Sequence, residues 1–179
     1  MPLTTFLAVG VLAGVALVLI ARLLLACAEA GAVVRVSTRL PIPAERAWQL
    51  LVRTDTFLYV TRGLVGFPDA ATWPARLLTP GLTLTTSVRL FHIGVPMPHR
   101  LTVVRADEAA HVVESREQGA LVPVWNHRLQ IEPLSPAECR YTDRIELQAG
   151  RLTPVVWLFA WGFYLYRQMR WRRLVRSRA

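Results

Sequence analysis

The N-terminal stretch of the chain has no polar face, whereas the remainder alternates between short apolar and polar runs. From Leu3 to Ala28 the single charged side chain is Arg22. An α-helix of this length extends about 39 Å, more than the ~30 Å hydrocarbon core of a bilayer. Residues 1–29 are therefore predicted to form a transmembrane anchor that contacts the membrane through residues 3–28. Cleavage as a signal peptide stays open, but a charge that follows the apolar run favours an uncleaved anchor.

The charges beyond this segment predict its orientation. Arg22, Arg35 and Arg39 all follow most of the apolar run. Because basic residues stay on the cytoplasmic side, we expect a single-pass protein of the cell membrane whose folded domain lies in the cytoplasm. Gly10 and Gly14 form a GxxxG motif, which lets two helices approach closely. That short motif is common in apolar helices and only suggests a dimer.

Residues 30–176 have the pattern of one α+β domain. Val33–Leu40 alternates like a half-buried strand, and Pro43 opens a short helix. A second short helix is predicted over Asp55–Arg62, ending at Gly63. Alternating runs punctuated by proline and glycine then predict antiparallel strands joined as hairpins. These runs are Leu82–Ile93, Arg100–Ala106, His111–Glu117, Val124–Glu132 and Arg140–Gln148.

A long C-terminal helix is predicted after these strands, with Thr153 as its N-cap and Pro154 in its first turn. Its uncharged apolar stretch is too short for a second membrane span. Residues at helical spacing form a stripe that is expected to pack on the sheet. The stripe contains Trp157, Trp161, Tyr164, Gln168, Trp171 and Val175.

This order of elements resembles the SRPBCC superfamily, which includes START lipid-transfer domains, birch-pollen-allergen-like proteins and polyketide cyclases. The stretch from Arg39 to Trp48 (RLPIPAERAW) is similar to the first strand-to-helix joint of that superfamily. EQG at 117–119 with WNHRL at 125–129 resembles the paired central strands of bacterial members, and DRIE at 143–146 the element before the long helix. The resemblance covers residues 33–176. It implies a helix-grip fold with a deep apolar cavity between a curved sheet and the C-terminal helix, and no universal catalytic residue.

Polar side chains in phase with apolar ones are expected to point into that cavity. Side chains on one face of a strand recur every second residue, which places His92, His99 and His127 among apolar neighbours. By the same rule, Tyr141 and Asp143 share a face with apolar residues of the last strand. The candidate ligand-binding residues are His92, His99, Trp125, His127, Tyr141, Asp143, Trp157 and Trp161.

Three functions fit this pattern. The first is a membrane-anchored domain that binds or presents a hydrophobic small molecule or lipid, with His127, Tyr141 or Asp143 orienting a polar head. The second is a cyclase- or dehydratase-like enzyme in which Asp143 raises the basicity of His127. The third is a non-catalytic interaction module that uses the basic tail. A purely structural role of the buried polar groups also stays open.

The sequence contains no motif that identifies a reaction. It has no nucleophile elbow, no dinucleotide fingerprint and no metal-ligand spacing, so neither a cofactor nor a metal is predicted and no catalytic residue is assigned.

Much of the net charge of +9 lies in residues 167–179, the arginine-rich end of the C-terminal helix. The arginines point in all directions, as is typical of a solvated helix end, so nucleic acid is not an expected partner. One stripe changes from aromatic to basic and is expected to contact anionic lipid. Its predicted membrane-surface residues are Phe163, Tyr166, Arg170 and Arg173.

Overall fold

A computed structural model of the chain describes residues 31–177, together with residues 14, 15, 18, 19, 21 and 22. The predicted anchor over residues 1–29 and its GxxxG motif therefore lie largely outside the described residues. Within the part that is described, we find no helix with the length and hydrophobicity needed to cross a bilayer.

The described elements follow one another in nearly the predicted order. The helices are α1 (Ala44–Leu51), α2 (Thr54–Thr61) and α3 (Thr153–Ser177), with 3₁₀ turns at Ala70–Thr72 and Gly150–Leu152. The strands are β1 (Ala32–Leu40), β2 (Val65–Gly66), β3 (Thr83–Leu90), β4 (Met97–Asp107), β5 (Val112–Gly119), β6 (Val124–Ser135) and β7 (Glu138–Gln148).

The strands form one seven-stranded antiparallel sheet in the order β1-β7-β6-β5-β4-β3-β2. α1 and α2 follow β1, and the long α3 packs along the sheet. The predicted helix-grip arrangement is therefore confirmed. The alternation of buried and exposed residues along β1 and β7 is the reason that one face of the sheet can carry the core.

Two groups of buried residues hold α3 on the sheet. One surrounds Trp48 and Trp171, and it includes Tyr141, whose ring centroid lies 5.0 Å from that of Trp171. The other joins Val34 of β1 to Tyr164 of α3. Between these groups the polar side chains described below cross the interface.

The two ends of the sheet differ in which strands and helices begin there. β1 begins at Ala32 opposite Leu147, and β6 begins at Val124 opposite Gln148. α3 also begins at this end, where the indole Nε1 of Trp157 donates to the carbonyl of Val33 at 2.8 Å. We call it the mouth end. The C-terminal part of α3 lies toward the opposite end, which we call the far end.

Two local predictions are wrong for conformational reasons. The strand predicted over Leu82–Ile93 stops at Leu90, because Phe91 and His92 have φ values of 52° and 60° and turn the chain out of the sheet. Thr153 is already helical, with φ −48° and ψ −45°, so it does not act as an N-cap. Its hydroxyl instead donates to the carbonyl of Gly150 at 2.7 Å and accepts from the amide of Ala149 at 3.0 Å.

The burial of Trp48 leads to a stability prediction. Replacing Trp48, which is 1% exposed, with alanine is expected to lower the free energy of unfolding by about 3–5 kcal/mol, because it leaves a cavity in the core. Trp161→Ala is the matched control, since that indole is 44% exposed. Urea unfolding of the full-length protein in mild detergent measures both, and equal losses would contradict the core assignment.

Candidate functional site

A cavity of about 380 Å³ lies between the sheet and α3. Volumes of this order accommodate small ligands. Its walls are mainly apolar and come from α2, β2, the segment between β2 and β3, the strands β3, β4, β5 and β6, the β5–β6 loop, and α3. Among them are Phe57, Phe67, Trp73, Leu84, Val88, Leu101, Trp125, Val156, Phe159 and Phe163.

Several of the polar side chains that line the cavity form a cluster where β4, β5, β6 and α3 meet. This cluster consists of His99, Glu117, His127, Tyr164 and Arg167. His99 and His127 lie there because β4 and β6 keep their inward phase at those positions. We call these five residues the polar cluster.

Glu117 is the carboxylate of the polar cluster and is largely buried. Its Oε2 accepts from His99 Nε2 at 3.1 Å, and its Oε1 accepts from the hydroxyl of Ser115 at 2.8 Å. Burial raises the pKa of Glu117, but the hydrogen bond and charge of His99 together with the charge of His127 outweigh it, so the pKa lies below its ordinary value. Glu117 is therefore an anion that faces a mainly apolar cavity.

A second carboxylate, Asp143, lies fully buried behind His127. Its Oδ1 accepts from His127 Nε2 at 2.9 Å and from the hydroxyl of Tyr141 at 2.8 Å. Its Oδ2 accepts from Gln168 Nε2 at 2.7 Å. Burial raises the pKa of Asp143, but the charge of Arg167 and the hydrogen bond from His127 outweigh it and hold the pKa below its usual range.

The Asp143 carboxylate fixes the position of the His127 ring. Because the carboxylate accepts, Nε2 of His127 carries a proton, and Nδ1 faces the other way. The hydroxyl of Tyr164 lies 3.5 Å from this Nδ1 and accepts from the indole Nε1 of Trp125 at 3.3 Å. Burial raises the pKa of Tyr164 well above its ordinary value, so the phenol keeps its proton.

The predicted ligand-binding residues leave out three members of the polar cluster, which are Glu117, Tyr164 and Arg167. Of these, Arg167 belongs to the arginine-rich end that was expected to be solvated. The structure buries it: Nη2 donates to the hydroxyl of Tyr141 at 3.1 Å and lies 3.6 Å from Asp143 Oδ1. Its Nε has no hydrogen-bond partner within the described structure. Arg167 lies four residues after Phe163 and eight after Phe159, and this spacing on one helix face was the available signal.

The other predicted ligand-binding residues lie in the cavity wall, behind it or away from it. Trp125 lines the cavity, whereas Tyr141 and Asp143 lie behind His127 and act on it from the core. His92 is outside the lining because of the turn at Phe91, and its Nε2 accepts from the amide of Gly63 at 3.2 Å. Trp157 and Trp161 lie on the exposed side of α3, apart from the residues that line the cavity.

The four predicted membrane-surface residues lie in different surroundings. Phe163 is buried and lines the cavity. The hydroxyl of Tyr166 donates to the carbonyl of Arg62 at 2.6 Å, and the guanidinium of Arg170 donates to the carbonyl of Tyr59 and lies 3.9 Å over its ring. Through these contacts, Tyr166 and Arg170 hold α2 and the residue that follows it against α3. Arg173 alone among the four is exposed.

Acidic and imidazole groups are not arranged as a metal site. Among the described residues, no group of three or more histidine, cysteine, aspartate or glutamate side chains is placed to hold a metal ion.

Known proteins share the fold of this chain at low sequence identity. No protein-family model matches the sequence, and no curated protein matches it either. Among solved structures, a START superfamily protein from Mycobacterium smegmatis is similar with a TM-score of 0.62 at 13% identity, over 82% of this chain and 99% of that one.

Two similar structures are enzymes by name. The Zhui aromatase/cyclase from Streptomyces sp. R1128 has a TM-score of 0.60 at 13% identity, covering 82% of this chain and 94% of that chain. Norcoclaurine synthase from Thalictrum flavum, solved in complex with dopamine and hydroxybenzaldehyde, has a TM-score of 0.59 at 10% identity over 85% and 90%. At these identities, the similarity establishes a shared helix-grip fold.

The buried ion pair leads to a prediction about pH and stability. Asp143→Asn leaves Arg167 buried without its counter-charge, so the free energy of unfolding at pH 7 is expected to fall by about 3–5 kcal/mol. The pKa of Asp143 is lowered on folding, so its contribution is present above the ordinary carboxyl range and is lost as pH falls through the folded pKa. The gap between wild type and variant should therefore narrow below about pH 4.

Urea unfolding of the full-length protein between pH 7 and pH 3 measures this gap. Glu132→Gln is the control, because Glu132 and Arg140 form a solvent-exposed ion pair 3.9 Å apart. This variant should lower the free energy of unfolding by less than about 1 kcal/mol. A gap that stays constant with pH would show that Asp143 does not act through its charge.

Proposed function

We propose that the domain binds a hydrophobic small molecule or lipid whose apolar body fills the cavity and whose polar head reaches the polar cluster. The observation that carries this proposal is the combination of a 380 Å³ apolar cavity with buried ionised groups in one part of its wall. Ligand pockets typically have this composition, with apolar walls and a small number of placed polar groups.

The polar cluster supports a head that donates a hydrogen bond. Glu117 is an anion in the cavity wall, so it can accept a hydrogen bond from a ligand. A hydroxyl or phenol group supplies this donor, whereas a purely hydrocarbon ligand does not.

The structural neighbours support the use of such a cavity for small molecules. Norcoclaurine synthase holds dopamine and hydroxybenzaldehyde on the same fold, and another neighbour is an aromatase/cyclase. Because the identities are low, we draw from them only the kind of ligand and no residue role.

We further propose that residues 1–29 anchor the domain at the cell membrane in a single pass, with the domain on the cytoplasmic side. The support is the apolar run from Leu3 to Ala28 and the arginines that follow it. A membrane lipid, or a hydrophobic molecule dissolved among lipids, would then be within reach of the cavity.

Blocking the cavity tests the binding function. Val88→Trp places an indole inside the cavity, whereas Val104→Trp places one on a β4 side chain that is 47% exposed outside it. We expect Val88→Trp to weaken binding of the neutral fluorescent probe N-phenyl-1-naphthylamine at least tenfold and Val104→Trp to leave it unchanged.

The titration uses the full-length wild type, Val88→Trp and Val104→Trp proteins in one detergent. Binding of the probe to micelles is therefore the same in all three samples. Mass spectrometry of extracts from the same preparations identifies molecules that copurify with the wild type and the Val104→Trp control. Equal probe binding by all three proteins would contradict a ligand site in the cavity.

A second candidate is an enzyme that moves protons with His127. The specific observation is the 2.9 Å contact between His127 Nε2 and Asp143, which holds the ring with Nδ1 facing Tyr164 and the polar cluster. A carboxylate that orients imidazole in this way supports general acid–base catalysis. On this reading, Tyr164 would position a hydroxyl of the substrate beside Nδ1.

Comparing bound molecules separates the two candidates. If the domain only binds, His127→Gln should copurify with the same molecule as the wild type, in a smaller amount. If it catalyses a reaction, the variant should hold an unconverted precursor of different mass. Thermal unfolding of the variant confirms that it is folded, and identical masses would exclude turnover by His127.

A further inference from the structure

Apolar side chains surround the mouth end and are exposed. In the β3–β4 loop, Ile93 is 73% exposed and Val95 is 83% exposed. Leu121 of the β5–β6 loop, and Val155 and Leu158 of the first turns of α3, are also exposed. We call these five residues the mouth rim. Single exposed apolar residues need no explanation, but a group of them on three neighbouring segments marks an interaction surface.

The mouth rim borders the cavity itself. Leu121 and Val155 belong to both the rim and the cavity wall, and Met97, at the end of the β3–β4 loop, lines the cavity too. Phe91 lies at the start of that loop and contacts Phe159 edge-to-face, with ring centroids 6.4 Å apart. A molecule entering the cavity between these segments would therefore pass the rim.

The chain also enters the domain at this end. Gly31 directly precedes β1, and it has a φ of +69°. A Cβ on this residue would lie 2.8 Å from Cγ of Gln148 and 3.0 Å from the carbonyl oxygen of Leu147, so any other residue would displace the end of β7. The apolar stretch from Leu3 to Ala28 thus joins the domain beside the end of β7, close to the start of α3.

The charges at the mouth end suit a phospholipid surface. The segments 89–100, 118–127 and 149–162 contain Arg89, Arg100 and Arg151 and no acidic residue. Glu146, near the end of β7, is an acid at this end and is paired with Arg144. Basic side chains beside exposed apolar ones are the combination that binds a bilayer interface. The exposed Trp157 and Trp161 stack on one another near the same end, and tryptophan is enriched at membrane interfaces.

We infer that the mouth rim lies in the headgroup region of the bilayer, so that the cavity opens toward lipid. A protein partner would also cover an apolar surface. The bilayer is favoured because the chain's own apolar segment enters at this end and because acids are absent from the three segments.

This orientation reverses the one expected from the sequence. α3 spans about 37 Å from Thr153 to Ser177, so its arginine-rich end points away from the membrane surface. Near that end, Arg167 and Arg170 donate hydrogen bonds to Tyr141 and Tyr59 within the domain.

Depth-dependent quenching tests the inference on the full chain. The protein is reconstituted in lipid nanodiscs that contain phosphatidylcholine with or without bromine on its acyl chains. An environment-sensitive fluorophore is attached to cysteine at Val95→Cys or Leu158→Cys on the rim, or at Ala137→Cys in the exposed β6–β7 turn at the far end. Cys27→Ser removes one native thiol. The other, Cys139, is buried with a pKa raised to about 11 by burial, so it labels slowly.

We expect brominated lipid to quench the probes at Val95 and Leu158 at least threefold more than the probe at Ala137. Equal quenching at the two ends, stronger quenching at Ala137, or no quenching at the rim would each overturn the inference. Because no ligand takes part, repeating the measurement with Val88→Trp separates this result from the proposed function. A blocked cavity should weaken binding of N-phenyl-1-naphthylamine at least tenfold and leave the quenching pattern unchanged.

Discussion

The rest of this structure depends on the hydrogen bonding of one buried carboxylate. Asp143 of β7 accepts from His127 of β6, from Tyr141 of its own strand and from Gln168 of α3, and it lies beside Arg167. An ion of this kind is costly to bury unless its partners are all in place. Those partners come together only when β6, β7 and α3 have their native register and rotation. The interaction therefore sets which face of α3 looks toward the sheet.

That rotation accounts for the composition of the cavity. Phe159, Phe163 and Arg167 recur every four residues and lie on one face of α3, so the helix presents two aromatic rings followed by a cation. Beside Arg167, β5 and β6 contribute Glu117 and His127, which gives the cavity one polar part and an otherwise apolar wall. The same rotation puts Trp157 and Trp161 outside. There the indole of Trp157 donates a hydrogen bond to the carbonyl of Val33.

The sequence was informative where side chains follow a regular period and misleading where they do not. His99, His127, Tyr141 and Asp143 were placed on inward faces because their strands alternate without interruption around them. His92 was misplaced because two residues with positive φ end β3, and alternation carries no information across such a turn. On α3, several stripes were compatible with helical spacing, and the choice among them depends on Asp143, a contact distant in sequence. Arg167 was assigned to solvent for this reason, although its partner lies on β7.

The charges inside the domain divide between its assembly and the wall of its cavity. Asp143 is buried and Glu117 is largely buried, and among the described residues Arg167 is the buried arginine and lies closest to Asp143. Glu117 instead has His99 and Ser115 as its hydrogen-bond partners, and it borders the open volume of the cavity. An anion satisfied in this way keeps lone pairs free for a further donor. The fold thus commits one carboxylate to its own assembly and leaves the other facing the space that a ligand would fill.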